Sequence, residues 1–291
     1  MPEAQLRLFP DPRPLLERFG ADFFRTVPKQ PGVYLMTGER DRVLYIGKAR
    51  NLRQRLSSYK YPRSSRKLMR LACRVRSIVW EICDDGLAAS MRENELLRLH
   101  KPAFNVVNTR VEHYPFVGFR ATEGGFALRL TKSSKSLPDE RFFGAFKGLP
   151  LVRSAFGALV RLLWRADHPD LSLLELPLTL LNSNPPEIWK LGGRAAELCD
   201  AIREFLFGTS DTLFAQLDAA LPARGSHFEE TFHVHDVELL REFFVRGPQR
   251  NAHLREVFCL PGAHIGQSEL DDLLVLREQY ANPIAPNPAV S

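Results

Sequence analysis

The chain has 291 residues, 44% of them hydrophobic, with 40 Lys and Arg against 34 Asp and Glu for a formal net charge of +6 and a sequence pI near 9.3. That length and apolar content suit one large or two modest packed domains and exclude a low-complexity chain. No apolar run is long enough to cross a bilayer, the N-terminus lacks the apolar core of a secretory signal, and Cys73, Cys83, Cys199 and Cys259 show neither C-x-x-C nor Cys/His ligand spacing. A membrane protein, a zinc ribbon and a disulfide framework are therefore not expected, and reduced thiols in a cytoplasmic setting are. The positive charge is concentrated: between Arg42 and Trp80 there is no acidic side chain, a one-signed field suited to a polyanion.

In chain order, residues 1–27 hold prolines, charges and small apolar islands and read as a flexible arm. Within it, Gln5-Leu6-Arg7-Leu8-Phe9 stands out as an apolar pair of anchors on a polar background, and Leu15 to Phe24 reads as a short amphipathic helix. Residues 28–108 read as a small α+β domain. Gly32-Val33-Tyr34-Leu35-Met36 and Val43-Leu44-Tyr45-Ile46-Gly47, separated by a polar stretch, predict two antiparallel strands. Asn51 is a good N-cap for a helix from Leu52 to Tyr59, on which Arg55 and Tyr59 share a face.

Residues 64–76 predict a second helix, with Leu68, Leu71, Ala72 and Val75 on one side and cations on the other. Ser77 to Cys83 alternates and predicts a third strand, with Ile78, Trp80 and Ile82 facing one way. Asp84-Asp85-Gly86 then turns into a helix from Leu87 to His100, ended by Pro102. Glu93 lies between Ala89 and Leu97 on that helix, and Glu95 between Met91 and Leu99. A carboxylate among apolar neighbours needs a partner, either a cation such as Mg²⁺ or Mn²⁺ or an arginine such as Arg92. The residues alone leave both carboxylates and both partners open.

Gly32-Val33-Tyr34 with Tyr45-Ile46-Gly47 resembles the two halves of the GIY-YIG nuclease signature. Lys48-Ala49-Arg50-Asn51-Leu52 through Ser57-Ser58-Tyr59, Glu93-Asn94-Glu95-Leu96-Leu97 and Pro102-Ala103-Phe104-Asn105 are similar to the N-terminal domain of the UvrC-type excinucleases. The resemblance implies a three-stranded antiparallel sheet flanked by helices, and a nuclease that nicks one DNA strand beside a lesion or unusual structure. It implies that Glu93, by its spacing to Asn105, holds the divalent metal. Arg55 would grip non-bridging phosphate oxygens, Tyr34 or Tyr45 would activate water with Lys48 nearby, Tyr59 would bond water or substrate, and Asn105 would hold local geometry. Arg50, Arg53, Lys60, Arg63, Arg66, Lys67, Arg70 and Arg74 form the expected phosphate-contacting surface. Taken singly, each tyrosine reads as a core aromatic and each cation as a solvent contact; the ordered combination carries the reading. Gln5, Leu6, Leu8 and Phe9 resemble the peptide that bacterial polymerases and repair proteins insert into the sliding clamp.

Residues 109–170 are expected to be a linking α/β segment, similar to the one after the nuclease domain in that family: strands at Tyr114–Val117 and Phe126–Thr131, then Arg141-Phe142-Phe143-Gly144 and an apolar helix from Val152 to Trp164. Residues 171–281 are expected to be helical, with helices from Pro186 to Phe207 and Ser210 to Leu221, and 282–291 to be a disordered tail. Phe205-Leu206-Phe207-Gly208 with Phe228-Glu229 resembles the lead-in to the hairpin that binds the excinuclease helicase subunit, which implies that subunit as a partner. His233 and His235 alternate as on a strand, but without a third ligand they do not specify a metal site. Two other readings stand beside the nuclease: a catalytically silent DNA-binding adaptor, and a clamp-tethered repair factor.

Overall fold

The computed structural model describes residues 12–61, 65–105, 108–133, 139–181, 188–221 and 226–281. The chain divides into two compact units, residues 1–110 with 274–291, and residues 111–273. The proposed clamp peptide at Gln5, Leu6, Leu8 and Phe9, the tail 282–291, and Arg63 lie outside the described residues.

The first unit is built on β1 (Gly32–Thr37), β2 (Val43–Ala49) and β3 (Ser77–Ile82), antiparallel in the order β2-β1-β3. The β1–β2 register pairs Tyr34 with Gly47 and Met36 with Tyr45. It slips by one residue between Met36 and Thr37, a bulge that makes Leu44 the extra residue. One face packs on α1 (Pro14–Thr26), α2 (Leu52–Ser58) and α3 (Arg66–Arg74) through Leu15, Phe24, Tyr34, Met36, Leu52, Leu56 and Leu71. The other face sends Val33 and Ile46 onto Ala89, Leu96 and Leu97 of α4 (Gly86–His100). Of the stretch read as an arm, Pro14–Thr26 folds as a helix and buries Leu15 and Phe24.

The helix ends follow from local chemistry. The side chains of Asn51, Ser65 and Asp85 accept from the backbone N–H of Gln54, Lys67 and Ala88. At the far end of α4, Lys101 takes a left-handed conformation (φ 44°) ahead of Pro102. On the third strand Ile78 is buried and Trp80 packs against Phe23 of α1, on the face the alternation predicts, while Ile82 at the strand's end is 52% exposed.

The outer edge of β2 is closed without a fourth strand. Phe104 N–H donates to Leu44 O (3.0 Å). The Asn105 amide accepts from Ile46 N–H (2.9 Å) and donates to Ile46 O (2.8 Å).

The second unit carries a four-stranded antiparallel sheet, β6-β4-β5-β7, from β4 (Phe116–Thr122), β5 (Gly125–Thr131), β6 (Arg141–Phe143) and β7 (Ile188–Leu191). Its apolar face, Val117, Phe119, Phe126 and Leu128, shares a core with α5 (Leu149–Asp167). The short α6 (Leu178–Leu181) and α7 (Gly193–Glu197) come next, then α8 (Cys199–Phe207), α9 (Leu213–Ala220), α10 (His227–Phe244) and α11 (Arg250–Val257); α12 (Leu270–Ala281) starts in this unit and ends in the first. The ion pair Arg161–Asp236 ties α5 to α10 across 75 positions, and Arg129 of β5 pairs locally with Glu140.

Two expectations for this half are corrected. The helix drawn from Pro186 begins only at Gly193, and Ile188–Leu191 is instead a strand on the edge of the sheet, beside β5. Trp189 and Leu191 gain more from the sheet edge than from an isolated helical turn, and that partner is some sixty positions upstream. His233 and His235 sit on α10, not on a strand. At helical spacing two positions diverge around the axis, so His233 is buried and His235 exposed, and they share no ligand site.

Two backbone features of the first unit have measurable consequences. A Cβ at Gly47 would lie 2.5 Å from the Tyr34 hydroxyl oxygen, so Gly47→Ala should push the tyrosine out of place and cost about 1–3 kcal/mol in denaturant unfolding. Asn105→Ala strands both polar groups of Ile46 and should cost about 1–3 kcal/mol in the same measurement.

Candidate active site

Three tyrosines and an arginine meet on the α2 side of the sheet. Tyr34 is fully buried (0% exposed), and its hydroxyl lies 2.8 Å from that of Tyr59. Arg55 Nε donates to the Tyr34 hydroxyl at 3.2 Å, and the guanidinium carbon stands 5.2 Å from the Tyr59 ring centre. Arg55 and Tyr59 reach this point because four residues on a helix return to one side. Tyr45 completes the cluster, its ring centre 6.1 Å from Tyr34 and 6.5 Å from Tyr59, and it is only half-buried. Burial, reinforced by the neighbouring phenols, pushes Tyr34 well above the ordinary tyrosine range. Burial and Tyr45 push Tyr59 up to about 12. Both are therefore neutral donors and acceptors at physiological pH.

The carboxylate half of the site lies on the α4 side. Because side chains alternate along β2, Lys48 faces α4 while Tyr45 faces α2. Glu93 Oε1 accepts from the Lys48 backbone N–H (3.1 Å), and Lys48 Nζ stands 3.8 Å from Oε2. Lys48 Nζ donates to Ser90 Oγ at 2.8 Å, and Ser90 Oγ donates to Gly86 O. Burial raises the Glu93 carboxyl above the usual range; the Lys48 ammonium, its backbone N–H and Arg55 pull the other way. Arg55 thus acts electrostatically on all three tyrosines and on Glu93.

The rival carboxylate is a surface group. Glu95 pairs with Arg92 at 2.6 Å with its side chain 61% exposed, and its neighbour Leu99, which the sequence pattern put in the interior, is 72% exposed.

Among the described residues no three His, Cys, Asp or Glu side chains gather as a cage for a metal. A single half-shielded carboxylate with one oxygen free of a close donor fits Mg²⁺ or Mn²⁺, which keep several waters and complete their shell from a substrate phosphate. It does not fit a cation that needs an all-protein shell.

The surrounding cations are not equivalent. Arg50, Arg66, Lys67, Arg70 and Arg74 are exposed, and the last also lies over the Phe104 ring. Arg53 is engaged in the fold, its Nε donating to Val27 O at 2.6 Å. Lys60 turns inward over the Phe24 ring, 4.8 Å away. Asn105 holds the backbone of Ile46, between Tyr45 and Gly47, and meets none of the other expected site residues in a hydrogen bond. Ser90 was missed from sequence; its one signal was its position three residues before Glu93, on the same side of the helix.

A family model for the UvrC-like GIY-YIG domain matches residues 30–106. Over longer stretches the chain is similar to UvrABC system protein C of Trichlorobacter lovleyi (33% identical over 181 residues, 61% of this chain and 28% of that protein). It is likewise similar to that of Cyanothece sp. (29% over 160 residues, 54% and 25%) and of Rickettsia bellii (25% over 218 residues, 72% and 34%). The chain thus spans roughly a quarter to a third of the length of these curated relatives. Among solved structures it is similar to the GIY-YIG N-terminal endonuclease domain of UvrC from Thermotoga maritima, bound to its catalytic magnesium. The identity there is 28%, covering 29% of this chain and 93% of that one, with a TM-score of 0.28. On the match of its first unit, the chain carries a UvrC-like GIY-YIG domain over residues 30–106.

Proposed function

We propose that the chain hydrolyses a phosphodiester bond of DNA with Mg²⁺ or Mn²⁺, nicking one strand next to a lesion or distorted structure in an excision-repair setting. The observation that carries the reading is a guanidinium held by the buried tyrosine cluster, Arg55 on Tyr34, together with a shielded carboxylate, Glu93, set against Lys48 of the same strand. A purely DNA-binding surface has no use for a shielded carboxylate among its cations, since it repels phosphate. The UvrC-like domain match and the UvrABC system relatives point to the same substrate class.

Each side chain then has a role set by its surroundings. Glu93 would hold the cation, with one carboxylate oxygen already accepting from the Lys48 N–H. The bound cation supplies positive charge to the scissile phosphate and its transition state. Arg55 spends Nε on Tyr34 and keeps its terminal nitrogens for non-bridging oxygens, a planar fork suited to phosphate. Tyr34 is sealed from solvent and kept protonated by burial, so it orients Arg55 and Tyr59 and takes no proton from water. Tyr59 passes that orientation to Tyr45. Tyr45, the one tyrosine of the three that solvent reaches, can release its own proton to bulk water and, as the phenolate, accept the proton of the attacking water. Lys48, anchored on Ser90, favours the charged form of Glu93 against the effect of burial. Exposed Arg66, Lys67 and Arg70 on α3, with Arg50, lie along the phosphate backbone.

Supercoiled plasmid or an adducted duplex should be nicked in Mg²⁺ or Mn²⁺. Glu93→Gln should lower the rate by about 10²–10³-fold and also abolish Mn²⁺ uptake seen calorimetrically. Retained Mn²⁺ binding in that variant would move the cation elsewhere.

The two candidate bases separate in a second comparison. Tyr45→Phe should cost about 10²–10⁴-fold, whereas Tyr34→Phe, which loses neutral hydrogen bonds and no proton acceptor, should cost about tenfold. The reverse order would exchange their roles.

A further inference from the structure

We infer that Tyr61, with Arg13 behind it, is a stacking site for an unpaired DNA base next to the cleavage site; this rests on the nuclease reading above and names the kind of DNA that the same site takes. Tyr61 stands two residues beyond Tyr59, so its Cα lies within about 8 Å of that of a residue in the tyrosine cluster. The two side chains behave in opposite ways. Tyr59, the C-cap of α2, is 5% exposed and points into the cluster, whereas Tyr61 is 48% exposed. Lys60 between them packs inward over Phe24, and its N–H donates to Ser57 O, which fixes the turn that holds the Tyr61 ring outward.

The Arg13 guanidinium covers one face of that ring at 4.8 Å. No other ring meets Tyr61 among the described residues, and the nearest described elements along the chain carry the exposed cations Arg66 and Lys67 and no acid. An aromatic ring backed on one face by a cation and with about half its surface exposed among the described residues, set in a phosphate-attracting field, is the arrangement that proteins use to stack a base while cations hold the flanking backbone. A base inside a duplex already has both faces covered by its neighbours, so only a nucleotide freed by a lesion, fork or flap can occupy the ring. The site therefore selects for DNA opened next to the cut.

The test uses the full chain in EDTA, where binding is read without cleavage, and two probes: a fully paired duplex, and the same duplex with one end splayed and 2-aminopurine in the splayed strand. The wild type should bind the splayed probe more tightly and quench its fluorescence. Tyr61→Ala should weaken the splayed probe at least about fivefold, remove the quenching and leave the paired duplex within twofold; Tyr61→Phe, which keeps the ring, should retain both properties. Equal weakening of both probes, or unchanged quenching in Tyr61→Ala, would overturn the inference and leave the tyrosine as a surface cation–aromatic contact only. Nicking of plasmid in Mg²⁺ by the wild type separates the two readings: nicking by a wild type that binds both probes alike rejects the stacking site alone, and splayed-probe discrimination by a wild type that does not nick rejects the nuclease alone.

Discussion

The arrangement of the first unit depends on a side chain that is absent. Tyr34 reaches across the β1–β2 pair into the space that a Cβ at Gly47 would fill. That placement brings its hydroxyl against Tyr59 and gives Arg55 Nε an acceptor. An arginine on a short surface helix is otherwise a long, mobile chain that loses much rotamer freedom when ordered. Here one nitrogen is tied down by a buried phenol, and the remaining fork is aimed without being consumed. Glycine at the pairing position, aromatic opposite it, and cation beyond form one mechanical linkage from the sheet to the point where phosphate would sit.

The edge of a sheet is what lets the two chemical halves meet. In the middle of a sheet, Tyr45 and Lys48 would be separated by neighbouring strands. On β2, the outermost strand, the two faces communicate around a border that Asn105 keeps from acquiring another strand. The amide supplies one donor and one acceptor, as a strand residue does, but covers only Ile46. Two positions on, the Lys48 N–H turns to Glu93 instead.

Much of this was legible in the residues. The strand pair, the capped helices and the positions of Arg55 and Tyr59 follow from local rules, and the family resemblance selected Glu93 over Glu95. Position alone did not make that selection, because both carboxylates have apolar neighbours in sequence; the distinction lies in which side of α4 meets Ile46 and Lys48, a long-range fact. The same limit explains the misses elsewhere. The strand Ile188–Leu191 depends on pairing with β5, which no local pattern records. Arg53 looks like any other cation of its basic run until Val27 O is found within its reach. The alternation of His233 and His235 suggested a strand where Asp236 and Leu240, also buried, continue a helical stripe. Charge density reads well from sequence as a field and poorly as a set of individual contacts.

The segment from Glu93 to Asn105 works as a fixed measure. Its first residue is set against Lys48 and its last against Ile46, two positions apart on one strand, with the left-handed turn at Lys101 and Pro102 between them. Both ends are pinned to the same short piece of β2, so the loop has no slack to absorb a change of length. Inserting or removing a single residue would rotate the glutamate by about 100° around the helix or pull the amide off its backbone partners. The polar hairpin around Glu39 to Asp41 carries no such double anchorage. Length variation among homologues should therefore collect in the hairpin and be absent from the measure.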